Sequence, residues 1–134
     1  MQILLFDTSI WIDYLSGQET SKVNLLDEYL LNTDVLQICP PIIQEILQGI
    51  RQDEQFSKIK KNLDRLLCLQ IDAKEAAFGA AELYRNLRKK GITIRKPNDC
   101  LIAFYAISFD VELVHKDSDF DLMLDHTPIK IYQL

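Results

Sequence analysis

Short apolar runs alternate along this chain with longer stretches whose apolar residues recur every three or four positions. Residues 2–6 are apolar after Gln2, which suits a parallel strand buried on both faces. Asp7-Thr8-Ser9 then reads as a helix start, with Ile10, Trp11, Tyr14 and Leu15 at helical spacing and Gly17 as a stop. A second helix is predicted over 20–32, with Val23, Leu26, Leu30 and Leu31 on one stripe, followed by a strand over 35–38. Pro40-Pro41 pre-sets a third helix over 41–50 that stops near Gly49. Residues 54–67 suit a charged amphipathic helix and 68–71 a strand. The longest helix, 73–90, should face inward through Ala76, Ala77, Ala80, Leu83, Tyr84 and Leu87 and end at Gly91. Beyond a basic loop at 92–97, helix 98–108 is so apolar that it should be covered. A strand over 112–115, a short helix over 118–125 and a strand over 129–132 complete the series. This alternation predicts a three-layer α/β/α fold around a central five-stranded, mainly parallel sheet. No repeat, linker or low-complexity segment interrupts it, so residues 1–134 are expected to form one domain.

Composition narrows the class. With 48% apolar and 26% charged residues the chain is an ordinary globule rather than a disordered one. No apolar run approaches the length that spans a membrane, and the opening Met1-Gln2-Ile3 carries no basic leader. Cys39, Cys68 and Cys100 are widely spaced and odd in number, which suits buried free thiols in a reducing compartment, so the cytoplasm is the expected location. A net charge of −5 argues against a protein that grips nucleic acid by overall charge. The cations are clustered, however: Arg85, Arg88, Lys89, Lys90, Arg95 and Lys96 fall in a stretch without an acid. Such a cluster is either a solvated helix end or a contact for RNA phosphates.

Four acids sit at structural joints. Asp7 ends the first strand, Glu45 lies early in the third helix, Asp99 opens the apolar helix after Pro97-Asn98, and Asp117 follows the fourth strand. Ligands of open parallel sheets bind beyond the carboxyl ends of the strands, where the strand order reverses. Asp7 and Asp117 occupy such ends. Glu45 lies on the flank of its helix, about 60° from Ile42 at 100° per residue. Singly, Asp7, Asp99 and Asp117 are explained as helix caps and Glu45 as a solvated side chain. Together they would form an oxygen-only pocket whose negative charges require a divalent cation.

These segments resemble the PIN-domain nucleases, most closely the VapC-like toxins of bacterial toxin–antitoxin pairs. Leu4-Leu5-Phe6-Asp7-Thr8-Ser9-Ile10-Trp11-Ile12-Asp13-Tyr14-Leu15 is similar to the family's first motif, and Pro41 to Gly49, around Glu45, to its second. Asn98-Asp99-Cys100-Leu101-Ile102-Ala103 is similar to the third, and Leu113 to Phe120 to the fourth. The resemblance implies a PIN-like fold and a ribonuclease dependent on Mg2+ or Mn2+. Its catalytic quartet would be Asp7, Glu45, Asp99 and Asp117, with Asp7, Asp99 and Asp117 as metal ligands. Ser9 would order the site, and Asp119 competes with Asp117 for the fourth position. Cys100 stands where many relatives have alanine. Water would be the nucleophile, leaving a 5′-phosphate and a 3′-hydroxyl. The resemblance also implies a VapB-like antitoxin, for which Trp11, Tyr14 and Leu15 are candidate anchors against a core role, and a homodimer. Candidate RNA contacts are Arg85, Arg88, Lys89, Arg95 and Lys96.

Three other readings of the same residues remain at this point. A haloacid-dehalogenase-like phosphatase needs an aspartate two residues after the first, where Ser9 stands. A receiver-like domain would be phosphorylated on an aspartate after the third strand, and Asp72 is roughly placed for that. A non-catalytic α/β interaction domain would keep the fold and bind no metal.

Overall fold

A computed structural model describes residues 1–134. Its centre is β1, Leu4–Phe6, whose residues are all buried. β1 pairs with β2, Leu36–Ile38, on one side and with β4, Glu112–Val114, on the other. The edges are β3, Leu67–Cys68, and β5, Lys130–Ile131, giving the order β3-β2-β1-β4-β5. Every pairing is parallel, so the sheet is wholly rather than mainly parallel. Its direction of growth reverses between β3 and β4, which places the switch point between β1 and β4.

The flanking helices are α1 (Thr8–Leu15), α2 (Ser21–Leu30), α3 (Pro40–Gln48), α4 (Asp53–Asp64), α5 (Ala73–Lys89), α6 (Pro97–Ser108) and α7 (Ser118–Leu122). The proline signal at 40–41 acts as expected, with α3 starting at Pro40, one residue before the predicted start; α6 likewise starts on a proline, Pro97, which the expected basic loop includes. α6 buries Cys100, Ile102, Ala103, Tyr105 and Ala106, as its composition requires. It packs closely on α5, because a Cβ placed on Gly79 would lie 2.2 Å from the Phe104 ring. Only glycine permits that approach.

Three local expectations change. In α2 the inward position is taken by Tyr29, whose hydroxyl donates to the Gln2 carbonyl at 2.5 Å, while Leu31 caps the helix and is 89% exposed. In α5 Ala77 faces solvent beside Phe78, and only Ala76 and Leu87 are buried. β3 is one residue earlier and shorter than its apolar run, although the Leu69 amide still donates to the Ile38 carbonyl at 2.8 Å. No helix is long and apolar enough to cross a membrane.

Candidate active site

Asp7 is the residue at which β1 becomes α1. Its amide extends the sheet by donating to the Val114 carbonyl at 2.9 Å, and its carboxylate caps the helix. Oδ2 accepts from the Ser9 amide at 3.1 Å and from the Ser9 hydroxyl at 2.6 Å. The next residue makes the link to α3, with the Thr8 hydroxyl donating to Glu45 Oε1 at 2.6 Å. Burial pushes the Asp7 carboxyl up; the Ser9 bonds oppose that, and the Glu45 charge adds to it.

Asp99 lies in the first turn of α6, where the amino end of a helix favours an anion. It is 4% exposed, and its Oδ2 has no hydrogen-bond partner. Burial, followed by the charges of Asp7 and Asp117, raises its carboxyl to about 7; Lys96 opposes the rise and Glu45 contributes to it. The charges of Asp7, Asp117 and Glu45 are thus all felt at Asp99.

Asp117 caps α7 by accepting from the Asp119 amide at 3.0 Å. Its surroundings are cationic. Lys96 Nζ lies 3.3 Å from Oδ2 and Arg95 Nη2 lies 3.7 Å from Oδ1. Burial pulls this carboxyl up, but the Asp119 amide, Lys96 and Arg95 outweigh it and hold the group below the usual carboxylate range. Asp119 is also buried, and its Oδ2 accepts from the Arg95 amide at 3.1 Å and from Arg95 Nε at 3.4 Å. Asp99, Asp117 and Asp119 each offer an oxygen, all within 4.8 Å of one another.

Sequence reasoning missed the supports of this loop. His115 is buried, its Nδ1 accepts from the Asp117 amide at 3.0 Å, and its Nε2 lies 3.2 Å from Asp121 Oδ1. Accepting at Nδ1 requires a ring unprotonated there, and burial, opposed by the Asp121 charge, lowers its pKa in the same sense. Lys116 pairs with Asp13 of α1 at 2.7 Å, and Lys22 donates to the His115 carbonyl. Thr8 was likewise unforeseen. The threonine beside Asp7 was the one visible signal, because a hydroxyl at a sheet's carboxyl edge has few partners other than side chains.

The remaining candidates separate. Arg95 and Lys96 stand at the acids. Arg85 and Arg88 are exposed on α5 near Pro97, with Arg88 over the Tyr84 ring at 5.6 Å. Lys89 lies in another pocket with Lys90 and His126. Trp11 is 3% exposed and Tyr14 and Leu15 are half-buried. With Leu30, Ile59 and Leu63 they line an apolar groove away from the acids. Asp72 caps α5 after the edge strand, and β2 separates that strand from β1, so it has no place beside Asp7.

The donor set suits a hard divalent cation. It contains only oxygens, one of them buried without a partner, and its negative charge is incompletely compensated. The thiols do not compete, since burial pushes Cys39 up to about 12 and Cys100 up to about 11.

A sequence model of the PIN domain matches residues 4–123. Ribonuclease VapC11 from Mycobacterium tuberculosis is 35% identical over 124 residues, which cover 90% of this chain and 91% of that one. A chain in the crystal structure of VapBC2 from Rickettsia felis, bound to a DNA fragment from the promoter, superposes with a TM-score of 0.72 at 28% identity over 98% of both chains. DNA-bound VapBC from Salmonella typhimurium gives 0.73 at 23% identity over 98% of both chains, a likeness of fold.

Proposed function

The chain belongs to the PIN domain family, and from that premise we propose that it is a metal-dependent endoribonuclease, the toxin of a VapBC-type toxin–antitoxin pair. One observation carries the metal reading. Asp99 holds a buried, unpartnered carboxylate oxygen amid the charges of Asp7, Asp117 and Glu45. In this reading Asp7, Asp99 and Asp117 supply oxygens to Mg2+ or Mn2+. When bound, the ion supplies neutralisation of phosphate charge and a more acidic water.

The side chains do the rest. Ser9 fixes Asp7 so that its oxygens keep one orientation, and Thr8 does the same for Glu45. Glu45, with its second oxygen outside that bond, orients the nucleophilic water and accepts its proton. The water oxygen bonds to phosphorus, the bond to the 3′-oxygen breaks, and that oxygen takes a proton from solvent, to which Glu45 returns the one it accepted. The products are a 5′-phosphate and a 3′-hydroxyl. Exposed cations of α5 and the 95–96 segment would guide the RNA backbone.

Residues 1–134 act as a single PIN domain in this reading, in a reducing cytoplasm that suits three free cysteines. A VapB-like antitoxin is the partner, with the Trp11, Tyr14 and Leu15 groove as its anchor, and the toxin is a homodimer. The test is direct. Asp7→Asn and Asp99→Asn should each reduce EDTA-sensitive RNA cleavage by roughly three orders of magnitude while melting as folded proteins. Full cleavage by both variants would overturn the assignment.

A further inference from the structure

The acids of the site meet two cations of unequal freedom. Arg95 is tied down twice, its amide and its Nε both donating to Asp119 Oδ2. Lys96 has one tie, from Nζ to Asp117 Oδ2 at 3.3 Å; both side chains are largely exposed, 71% for Arg95 and 67% for Lys96, so the difference lies in the ties and not in burial. The Lys96 ammonium also feels the charges of Asp99 and Asp7 as well as that of Asp117. The Arg95–Asp119 latch thus fixes the backbone from which Lys96 projects, while the long Lys96 side chain stays free to move. A monovalent cation on a flexible stem is bound to the oxygen that a divalent ion would claim.

We propose that Lys96 is the built-in counter-cation of the acidic site, displaced from Asp117 by the divalent ion and thereby released to bind the phosphate of the RNA. Two positive charges compete for one carboxylate, so entry of the ion weakens the hold on Lys96. The freed ammonium then stands at the mouth of the site, beside the first turn of α6, where an anionic backbone must pass. Ion binding and substrate binding are coupled in this way. The exchange half is independent of the nuclease reading; the phosphate half rests on it for the identity of the anion.

The experiment has two arms, each with its own readout. In the first, the full chain without RNA is titrated calorimetrically with Mn2+. Lys96→Met, which removes the competitor, should bind the ion about fivefold more tightly, with a smaller gain at high salt. Lys96→Arg should stay near the wild type. Equal or weaker binding by Lys96→Met overturns the exchange. In the second arm, a short single-stranded RNA is bound in Ca2+ and its affinity followed against salt. Lys96→Met should lose about one phosphate contact from the salt slope, and Lys96→Arg should restore it. An unchanged slope overturns the phosphate role. Absence of RNA cleavage by the wild type would count against the nuclease and leave the Mn2+ result to decide the exchange. Because Lys96 is exposed, Lys96→Gln serves as a second neutral variant should the methionine aggregate.

Discussion

Asp7 and Asp117 are built alike and live under opposite conditions. Each follows a parallel strand that borders the switch point, each caps the next helix, and each accepts the amide two residues on, at 3.1 and 3.0 Å. Yet burial raises the Asp7 carboxyl, whereas the Asp117 carboxyl is held low despite its burial. The difference lies in the facing side chains. Asp7 meets a serine hydroxyl and the charge of Glu45; Asp117 meets Lys96 and Arg95. The proposed site is thus compensated along one wall only. Its uncompensated wall, from Asp7 to Asp99, which feels the charges of both Asp7 and Asp117, is where an added cation would gain most.

The largest effect should come from the residue that organises the compensated wall. If Asp119 acts by latching Arg95, its acceptor oxygen matters more than its charge. Asp119→Asn should then cleave RNA within a few-fold of the wild type, and Asp119→Ala should lose about 10–100-fold, as supports of metal sites do. A dead Asp119→Asn would make Asp119 a ligand and erase the contrast between the walls.

A smaller effect, of opposite sign at the two walls, is expected in the stability of the metal-free protein. The Asp99 carboxyl is raised from 3.8 to about 7, so the stability it lends the fold is full below its unfolded value and is lost as pH rises through about 7. At pH 8 Asp99→Asn should therefore melt higher, by roughly 1–2 kcal/mol, and its advantage should vanish toward pH 4. Asp117 is held low, so its contribution is present above its unfolded value and lost only in acid. Asp117→Asn should melt lower at pH 8, by about 0.5–1 kcal/mol, since the pairing it loses is partly exposed. Thermal melts in EDTA across pH would decide both, and shifts of the same sign would break the comparison. Divalent ions should reverse the wild-type trend, because the cation competes with the proton on Asp99.

Much of this was legible in the residues. Apolar runs and proline placement located the strands and helices, because burial on both faces and a missing amide are local constraints. The four acids could be named for a related reason. Capping a helix and pointing beyond a strand's carboxyl end are the same position at Asp7 and Asp117, so the plain structural role and the proposed one coincide. What the chain order concealed was pairing between distant segments. Nothing local says that Thr8 reaches Glu45, that Arg95 holds Asp119, or that Asp13 meets Lys116. Lys96 stood out as a cation for RNA, and its neighbour Asp117 became visible only in three dimensions. The errors at Leu31 and Ala77 have a simpler origin. Leu31 stands about 80° or more from Val23, Leu26 and Leu30 on the helical wheel, so its apolar character misplaced it and packing buried Tyr29 in its stead; Ala77 lies at the edge of its stripe, about 100° from the buried Ala76, where periodicity alone sets no boundary.

The smallest predicted effect tests the uncompensated wall through its main relief. Asp7 has no cation paired with it, and what chiefly offsets its burial is the pair of bonds from Ser9, hydroxyl and amide, with a smaller part from the Thr8 backbone. Ser9→Ala removes the hydroxyl bond and leaves the amide, so α1 keeps its cap and the fold should persist. The carboxylate loses a charge-assisted hydrogen bond, worth about 1.5–3 kcal/mol in general, but water reaching the half-buried serine position replaces part of it. We therefore expect cleavage at pH 7 to fall only several-fold, and the acid limb of the pH–rate profile to move upward, since Asp7 is harder to ionise without the hydroxyl. Raising the pH or the Mn2+ concentration should recover most of the loss, because both favour the ionised form. A Ser9→Ala deficit that neither condition repairs would mean that the serine acts on something other than Asp7. The uncompensated wall would then need another account of how its first acid stays charged.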